Sequence, residues 1–444
     1  MNDSPRRRTR EARQVAMEAL LAFAADPDGR ILTKLELHDM DPRDAALARE
    51  IALGVVRRRD LLDHICTGYT ERGLPAYIEA RFALRIGAYQ LCFLDRIPPH
   101  AAVDSSVNLC EAPSRGFVNA VLRRIAERVL PASESIGPDS DRLALPGNRV
   151  IQLGLPLPHP ERDPAGWMSV VGGIPMFLAQ RWFDRHGRTR AFELVEAATR
   201  NAGVMLRTVR VSRDELAERL RTEGVLTEPA VHPRVLRWSD GASPFDTQAY
   251  RDGCFVAQDP TSVRAAEAVG AQPGETILDL CAAPGTKASL LAEAVGAEGK
   301  VVASDPDARR RARIVDNVLR LRMPWIKIGE DPRRGIGADR VLADVPCSNT
   351  GVLSRRVEAR YRLTAERISE LVATQREILA QALELVRPSG TVVYSTCSIE
   401  QEENHDVVAP VAREWQATIV AEHTTFPDPP QHDGGYFAIL RAPD

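Results

Sequence analysis

From about residue 254 the chain alternates short apolar runs with longer amphipathic ones, and few folds accept that order. "ETILDLCAAPG" reads as a strand running into a glycine-containing turn, and "TKASLLAEAVG" as the helix after it. "KVVASD" is a strand, "PDARRRARIVDNVLRLRM" a long helix, and "WIKIG" and "RVLADV" are two more strands. "TAERISELVATQREILAQALELVRPSG" is a helix closed by Pro-Ser-Gly, and "TVVYSTC" is another strand. Strands alternating with helices of this length predict a doubly wound, largely parallel sheet, hence an α/β Rossmann-like domain over 251–444.

The rest of the chain obeys other periods. Its 444 residues are too many for one domain. Residues 1–130 read as all-α: "REARQVAMEALLAF", "RDAALAREIALGVVRRRDLLDHI", "YIEARFALRIGAYQLCFLDRI" and "GFVNAVLRRIAERV" carry apolar residues at helical spacing. Residues 131–172 are rich in Pro, Gly, Ser and Asp without a period, which predicts a linker or insertion. Residues 173–250 begin with a helical pair and continue through "VMLRTVRV", "RDELAERLRTEG" and "VLRWS" as a small α/β connecting subdomain.

Composition excludes some classes. The seven cysteines show no CxxC or Cys/His metal spacing, which argues against disulfides and a metal site. No apolar run reaches membrane-spanning length, and "MNDSPRRRTREARQ" has no apolar signal core. A reduced, cytoplasmic protein is expected. A net charge of -3 does not by itself decide for or against a polyanionic partner.

In an open α/β sheet, ligands bind at the carboxyl ends of the strands. The first strand ends in "LDLCAAPGTK", where Gly285, Ala282 and Ala283 let backbone approach a ligand, and the second ends at Asp305, an acid suited to a ribose diol. Alone, one glycine turn and one Asp are ordinary loop chemistry. Two further strands end alike: "ADVPCS" carries Cys347 and "VYSTCS" carries Cys397.

Together, "DLCAAPGTK", "DVPCSNTG" and "YSTCS" resemble the RNA cytosine-C5 methyltransferases, the family that includes a bacterial ribosomal RNA enzyme and eukaryotic nucleolar proteins. The likeness runs from about Gly253 to Leu440. "ALRIGAYQL", "IPPHAAVDSSVNL" and "FVNAVLRRI" resemble the helical RNA-binding domain of NusB, in the order that the bacterial small-subunit ribosomal RNA enzymes have. The resemblance implies S-adenosyl-L-methionine as cofactor and RNA, small-subunit ribosomal RNA first, as substrate. Its donor site would comprise Cys281, Ala282, Ala283, Pro284, Gly285, Thr286 and Lys287, with Asp305 on the ribose, Asp331 on the adenine side, and Asp344 beside the methyl group and the base. Thr286 and Asn349 depart from the family's usual residues, as does the 355–362 stretch "RRVEARYR".

The implied chemistry explains two cysteines. Cytosine C5 is a poor nucleophile until a thiolate adds to C6. In the family the Thr-Cys residue attacks and the Pro-Cys residue assists release, so Cys397 is the expected nucleophile and Cys347 the release residue. Cys66, Cys92, Cys110 and Cys254 are expected to be buried packing residues. Lys287 stands out because only four of the 58 basic residues are lysines. A compact ammonium suits a tight gap between donor and base. Arg57 to Arg59, Arg123 with Arg124, and Arg309 to Arg311 are candidates for phosphate contact or solvated faces. The alternatives are the same reaction on transfer RNA, or a non-catalytic RNA-binding factor for ribosome assembly. A DNA methyltransferase is disfavoured, since its nucleophile belongs to the Pro-Cys motif.

Overall fold

The computed structural model describes residues 11–27, 29–132, 141–329 and 337–444. Their contacts divide the chain into two units, Met1–Thr199 with Arg356–Arg362, and Arg200–Arg355 with Leu363–Asp444.

The first unit opens with helices Ala12–Ala25, Pro42–Arg57, Arg59–Thr67, Ile78–Phe93, Pro99–Val107 and Ala112–Arg128. Their apolar stripes meet in one core, where Leu20, Ile51, Val55, Leu62, Leu84 and Leu122 are buried. The second helix starts where Asp41 accepts a hydrogen bond from the Arg43 N–H and Pro42 occupies the first turn. The stretch that reads as one helix over 43–65 is two, broken at Arg58 (φ -117°, ψ 20°). Gly54 permits the closest packing, because a Cβ there would stand 1.9 Å from the Tyr89 ring.

The stretch expected to be a linker holds structure. Strands Val129–Pro131, Arg149–Gln152 and Arg142–Leu145 form an antiparallel sheet in that order. Its hairpin turns at Pro146-Gly147-Asn148, with the last two residues at positive φ. Each hairpin strand buries a single apolar side chain, Leu145 or Ile151, too short an alternation to read. The following helical pair, Met176–Thr199 with a break at Gly187 (φ 73°), belongs to this unit rather than to the α/β part. It is held there by Trp167 stacking on Phe192 and by buried Trp182. Residues 356–362 complete the unit. Val357 joins the helical core, and the buried Arg360 guanidinium donates to the carbonyls of Arg57, Gly172 and Ala198 at 2.6–2.9 Å.

The second unit begins with a four-stranded antiparallel sheet in the order Val225–Pro229, Val235–Gly241, Val204–Thr208, Phe255–Ala257. Its main part is a seven-stranded sheet. In chain order the strands are β1 (Thr276–Asp279), β2 (Lys300–Ser304), β3 (Ile326–Gly329), β4 (Ala338–Asp344), β5 (Val386–Thr396), β6 (Thr418–Thr425) and β7 (Gly435–Arg441). The spatial order is β3-β2-β1-β4-β5-β7-β6; the first five are parallel, and β7 runs antiparallel to β5 and β6. The predicted Rossmann-like architecture is thus present. The strand order reverses between β1 and β4, so ligands are expected beyond the carboxyl ends of those two strands. No described helix is long and apolar enough to cross a membrane.

Candidate active site

Beyond β1 the chain turns sharply before helix Thr286–Val295. The Leu280 N–H reaches the Leu342 carbonyl at 3.0 Å and the Ala282 N–H the Ser304 carbonyl at 2.8 Å, which ties the turn to both neighbouring strands. Gly285 has φ 97°, a region that disfavours side chains, and a Cβ there would meet Ile314 at 3.4 Å. Pro284 follows a cis peptide bond and its carbonyl accepts from Asn317 Nδ2 at 2.8 Å. Burial and the acids around it push the Cys281 thiol up to about 12, so it packs in the turn and does not ionise near neutral pH.

Asp305, just past β2, is fully buried. Its Oδ1 accepts from the Asp307 N–H at 3.1 Å, and Arg310 lies 3.2 Å from Oδ2. Asp331 lies outside the described residues. At the end of β4, Asp344 accepts from Lys287 Nζ at 2.6 Å and from the Ser395 hydroxyl at 2.9 Å. Burial disfavours the Lys287 ammonium, but the charge and hydrogen bond of Asp344, aided by Asp279, outweigh it and raise its pKa.

The two cysteines at the ends of β4 and β5 come together. Cys347 and Cys397 are 50 residues apart in sequence, and their sulfurs are 3.2 Å apart. They are partly exposed, whereas Cys66, Cys92, Cys110, Cys254 and Cys281 are buried. The hydrogen bond with Cys397, then burial, then the charges of Cys397 and Glu403 hold the Cys347 pKa well above the usual thiol range. Asn349 sits in the left-handed region (φ 64°); its Nδ2 donates to the Cys347 carbonyl at 2.7 Å, which turns Oδ1 toward the Cys397 thiol at 3.3 Å. A cavity of about 160 Å³ is lined by Lys287, Asp344, Cys397, Asp433 and Tyr436, among others. A dry cavity near that size, ~150 Å³, admits a benzene ring.

Several residues of the site escaped the sequence reading. Asp279, the last residue of β1, is fully buried. Neither of its oxygens has a well-formed hydrogen bond among the described residues, the Cys281 backbone offering only a weak one. Burial, then the Asp344 charge, push it up to about 8. Asp433 shares Arg355 with Asp259, at 2.6 Å and 3.0 Å, and burial with the Asp259 charge pushes it up to about 7. "DGGYFAIL" and "QDPTS" hold these two acids, but nothing in their spacing shows that they share a guanidinium.

Some arginines of the three clusters make internal contacts, while Arg123, Arg124, Arg309 and Arg310 remain exposed. Arg57 is buried, Arg58 lies over Phe93 and Arg59 over Tyr361. Arg124 donates to the Tyr69 carbonyl, and Arg310 and Arg311 both serve Asp305.

Residues 266–439 match the family described as "16S rRNA methyltransferase RsmB/F". Ribosomal RNA small subunit methyltransferase B of Klebsiella pneumoniae is 31% identical over 90% of this chain and 90% of its own length. The chain belongs to the RsmB/F methyltransferase family. Its residues 10–127 match the NusB family. Rv1407 of Mycobacterium tuberculosis is 33% identical over 92% of this chain and 88% of its own length. Among solved structures, PH0851 superposes with a TM-score of 0.75 at 22% identity, covering 97% of this chain and 98% of that one. A methyltransferase homolog from Pyrococcus horikoshii gives 0.55 at 24% identity, over 62% of this chain and 97% of that one. These two likenesses bear on the fold alone.

Methyltransferases of this family use S-adenosyl-L-methionine. The residues present fit that cofactor. Gly285 takes a positive-φ turn that a side chain would strain, and the buried Asp305 carboxylate stands at the end of the next strand, its Oδ2 ion-paired with Arg310 at 3.2 Å but without a well-formed hydrogen bond among the described residues.

Proposed function

We propose that the protein methylates carbon 5 of a cytosine in small-subunit ribosomal RNA, with Cys397 as nucleophile and Cys347 as the release residue. The observation that supports this most is the pair of partly exposed cysteines whose sulfurs lie 3.2 Å apart at the ends of adjacent parallel strands. Cys397 also lines the same cavity as Lys287 and Asp344. A packing role requires neither the proximity nor the exposure.

The donor, when bound, supplies a methyl group on a sulfonium. Gly285 and its turn, with Asp305 and Asp331, would hold the donor. The Cys397 thiolate adds to C6; the S–C6 bond forms, and the C5=C6 electron pair makes C5 nucleophilic. Asp344 lies beside the base, and its pairing with Lys287 fixes a cation in the gap. After transfer the C5 proton passes to a basic group or solvent water, the C5–H electron pair rebuilds the C5=C6 bond, and the S–C6 bond breaks with its electrons returning to the Cys397 sulfur. Cys347 stays protonated at rest because burial and its neighbours disfavour its thiolate. In this reading it leaves C6 to Cys397 and serves the release of that residue. The base must leave its stack to reach these groups, and the helical NusB-like unit is the candidate for binding the surrounding RNA.

The test is mass mapping of methylated cytosines in small-subunit ribosomal RNA and in transfer RNA, each incubated with the protein and S-adenosyl-L-methionine. A 5-methylcytosine in the ribosomal RNA is expected. Methylation of transfer RNA alone would reassign the substrate, and methylation at another atom would overturn the chemistry.

A further inference from the structure

A serine follows each cysteine, and both serines end on one carboxylate. Glu403 is fully buried just past the β5 turn, at the end of the Gln401–Glu403 helical turn. Its Oε1 accepts from the Ser348 N–H at 2.7 Å and from Gln375 Nε2 at 3.0 Å. Its Oε2 accepts from the Ser398 hydroxyl at 2.5 Å and from the Ser348 hydroxyl. The two hydroxyls are themselves 3.1 Å apart. Thr350 bridges the same turns, meeting the Ser398 hydroxyl at 3.1 Å and accepting from the Ile399 N–H at 3.1 Å. The Gly351 N–H closes the set on the Cys397 carbonyl at 3.0 Å.

A carboxylate taken out of water is costly unless donors surround it. Here three of the four donors come from the residues after the two cysteines, so its position and theirs are set together. Packing two turns against each other needs no buried charge. The charge also contributes to keeping the Cys347 thiol protonated.

We propose that Glu403 is the positioning residue of the cysteine pair: by holding Ser348 and Ser398 on one carboxylate, it sets the separation and relative direction of the two thiols. It acts through the serines and not on the substrate. The inference rests on the reading in which Cys397 attacks and Cys347 assists release.

The test uses Glu403→Gln in the full chain, which keeps the shape but places an amide donor among donors. Three quantities are compared with wild type: the rate at which dibromobimane bridges Cys347 to Cys397, read by peptide mapping; the rate of single alkylation of Cys397 by iodoacetamide; and trapped adduct on a small-subunit ribosomal RNA transcript with S-adenosyl-L-methionine. Since a displacement of about 1 Å can cost about 10²-fold in a positioned reaction, bridging is expected to fall at least about tenfold, with single alkylation within about twofold. Adduct is expected to accumulate, because release is the step that needs both thiols. The double variant Ser348→Ala/Ser398→Ala removes the two hydroxyl donors and carries the bridging comparison if Glu403→Gln does not fold. Bridging at the wild-type rate in the variant that folds overturns the proposal, even where the adduct forms as the covalent reading requires. Bridging lost with no adduct in any protein upholds the positioning role and overturns the covalent reading instead.

Discussion

Asp279→Asn should stabilise the methyltransferase unit, and by an amount that depends on pH. The wild-type carboxyl is fully buried, beside Asp344 and Asp305, and titrates at about 8, against about 3.9 in an unfolded chain. Below about pH 4 both states hold the proton, and Asp279 costs the folded state nothing. Between about pH 4 and 8 the folded state keeps a proton that the unfolded chain releases. Folding stability then falls by about 1.4 kcal/mol for each pH unit gained. Above about pH 8 both states are ionised and the loss levels off at roughly 6 kcal/mol. Asparagine fills the same space and is neutral throughout. The difference in unfolding free energy, variant minus wild type, should therefore be near zero at pH 4, about 4 kcal/mol at pH 7, and flat above about pH 8. Urea unfolding of the donor-free protein across that range measures it, with the methyltransferase unit followed through its own proteolytic fragments. A difference independent of pH, or a variant less stable at pH 8, would show that Asp279 is ionised and paired in the folded protein.

Asp305→Ala removes the acid proposed to hold the ribose diol. At about 1.5–3 kcal/mol for a hydrogen bond to a charged group, donor affinity by calorimetry should fall at least about tenfold, and unchanged affinity would take Asp305 out of the site. Lys287→Arg keeps the charge but puts a broad planar group where an ammonium sits 2.6 Å from Asp344, so turnover should drop sharply; wild-type turnover would make the lysine incidental. Arg360→Met leaves three buried carbonyls without their donor, each worth about 1–3 kcal/mol, and should lower the melting temperature of the helical unit, which an unchanged melting curve would contradict.

The central parallel strands β1, β2, β4 and β5 were legible because strands buried on both faces are apolar runs, and because each meets a Gly, Asp or Cys turn at its carboxyl end. The edge strand β6 was not. "TIVAEHTT" is exposed at most positions, so no hydrophobic pattern marks it. The 142–152 hairpin escaped because its strands are four residues long. Within the site, the residues that the resemblance brought forward are local to strand ends, and the fold gathers Lys287, Asp344, Cys347 and Cys397. Glu403 escaped because its role comes from folding back on two turns, one of them 55 residues upstream. Asn349, a small loop departure in sequence, has its side chain between the two cysteine turns because its left-handed backbone aims it there. The 355–362 stretch departs from the family's usual residues in sequence, and in the structure its Val357 and Arg360 are buried in the helical unit.

The division of labour between the thiols is tested most directly by trapping. Cys397→Ala and Cys347→Ala are each incubated with a small-subunit ribosomal RNA transcript and S-adenosyl-L-methionine, then run on denaturing gels. Cys397→Ala should form no adduct and transfer no methyl group. Cys347→Ala should attack and methylate, then stall as a complex that survives denaturation, and leaving out the donor should abolish it. An adduct in Cys397→Ala with none in Cys347→Ala would reverse the two roles. Activity kept in both variants, with no adduct in either, would contradict the cysteine mechanism altogether.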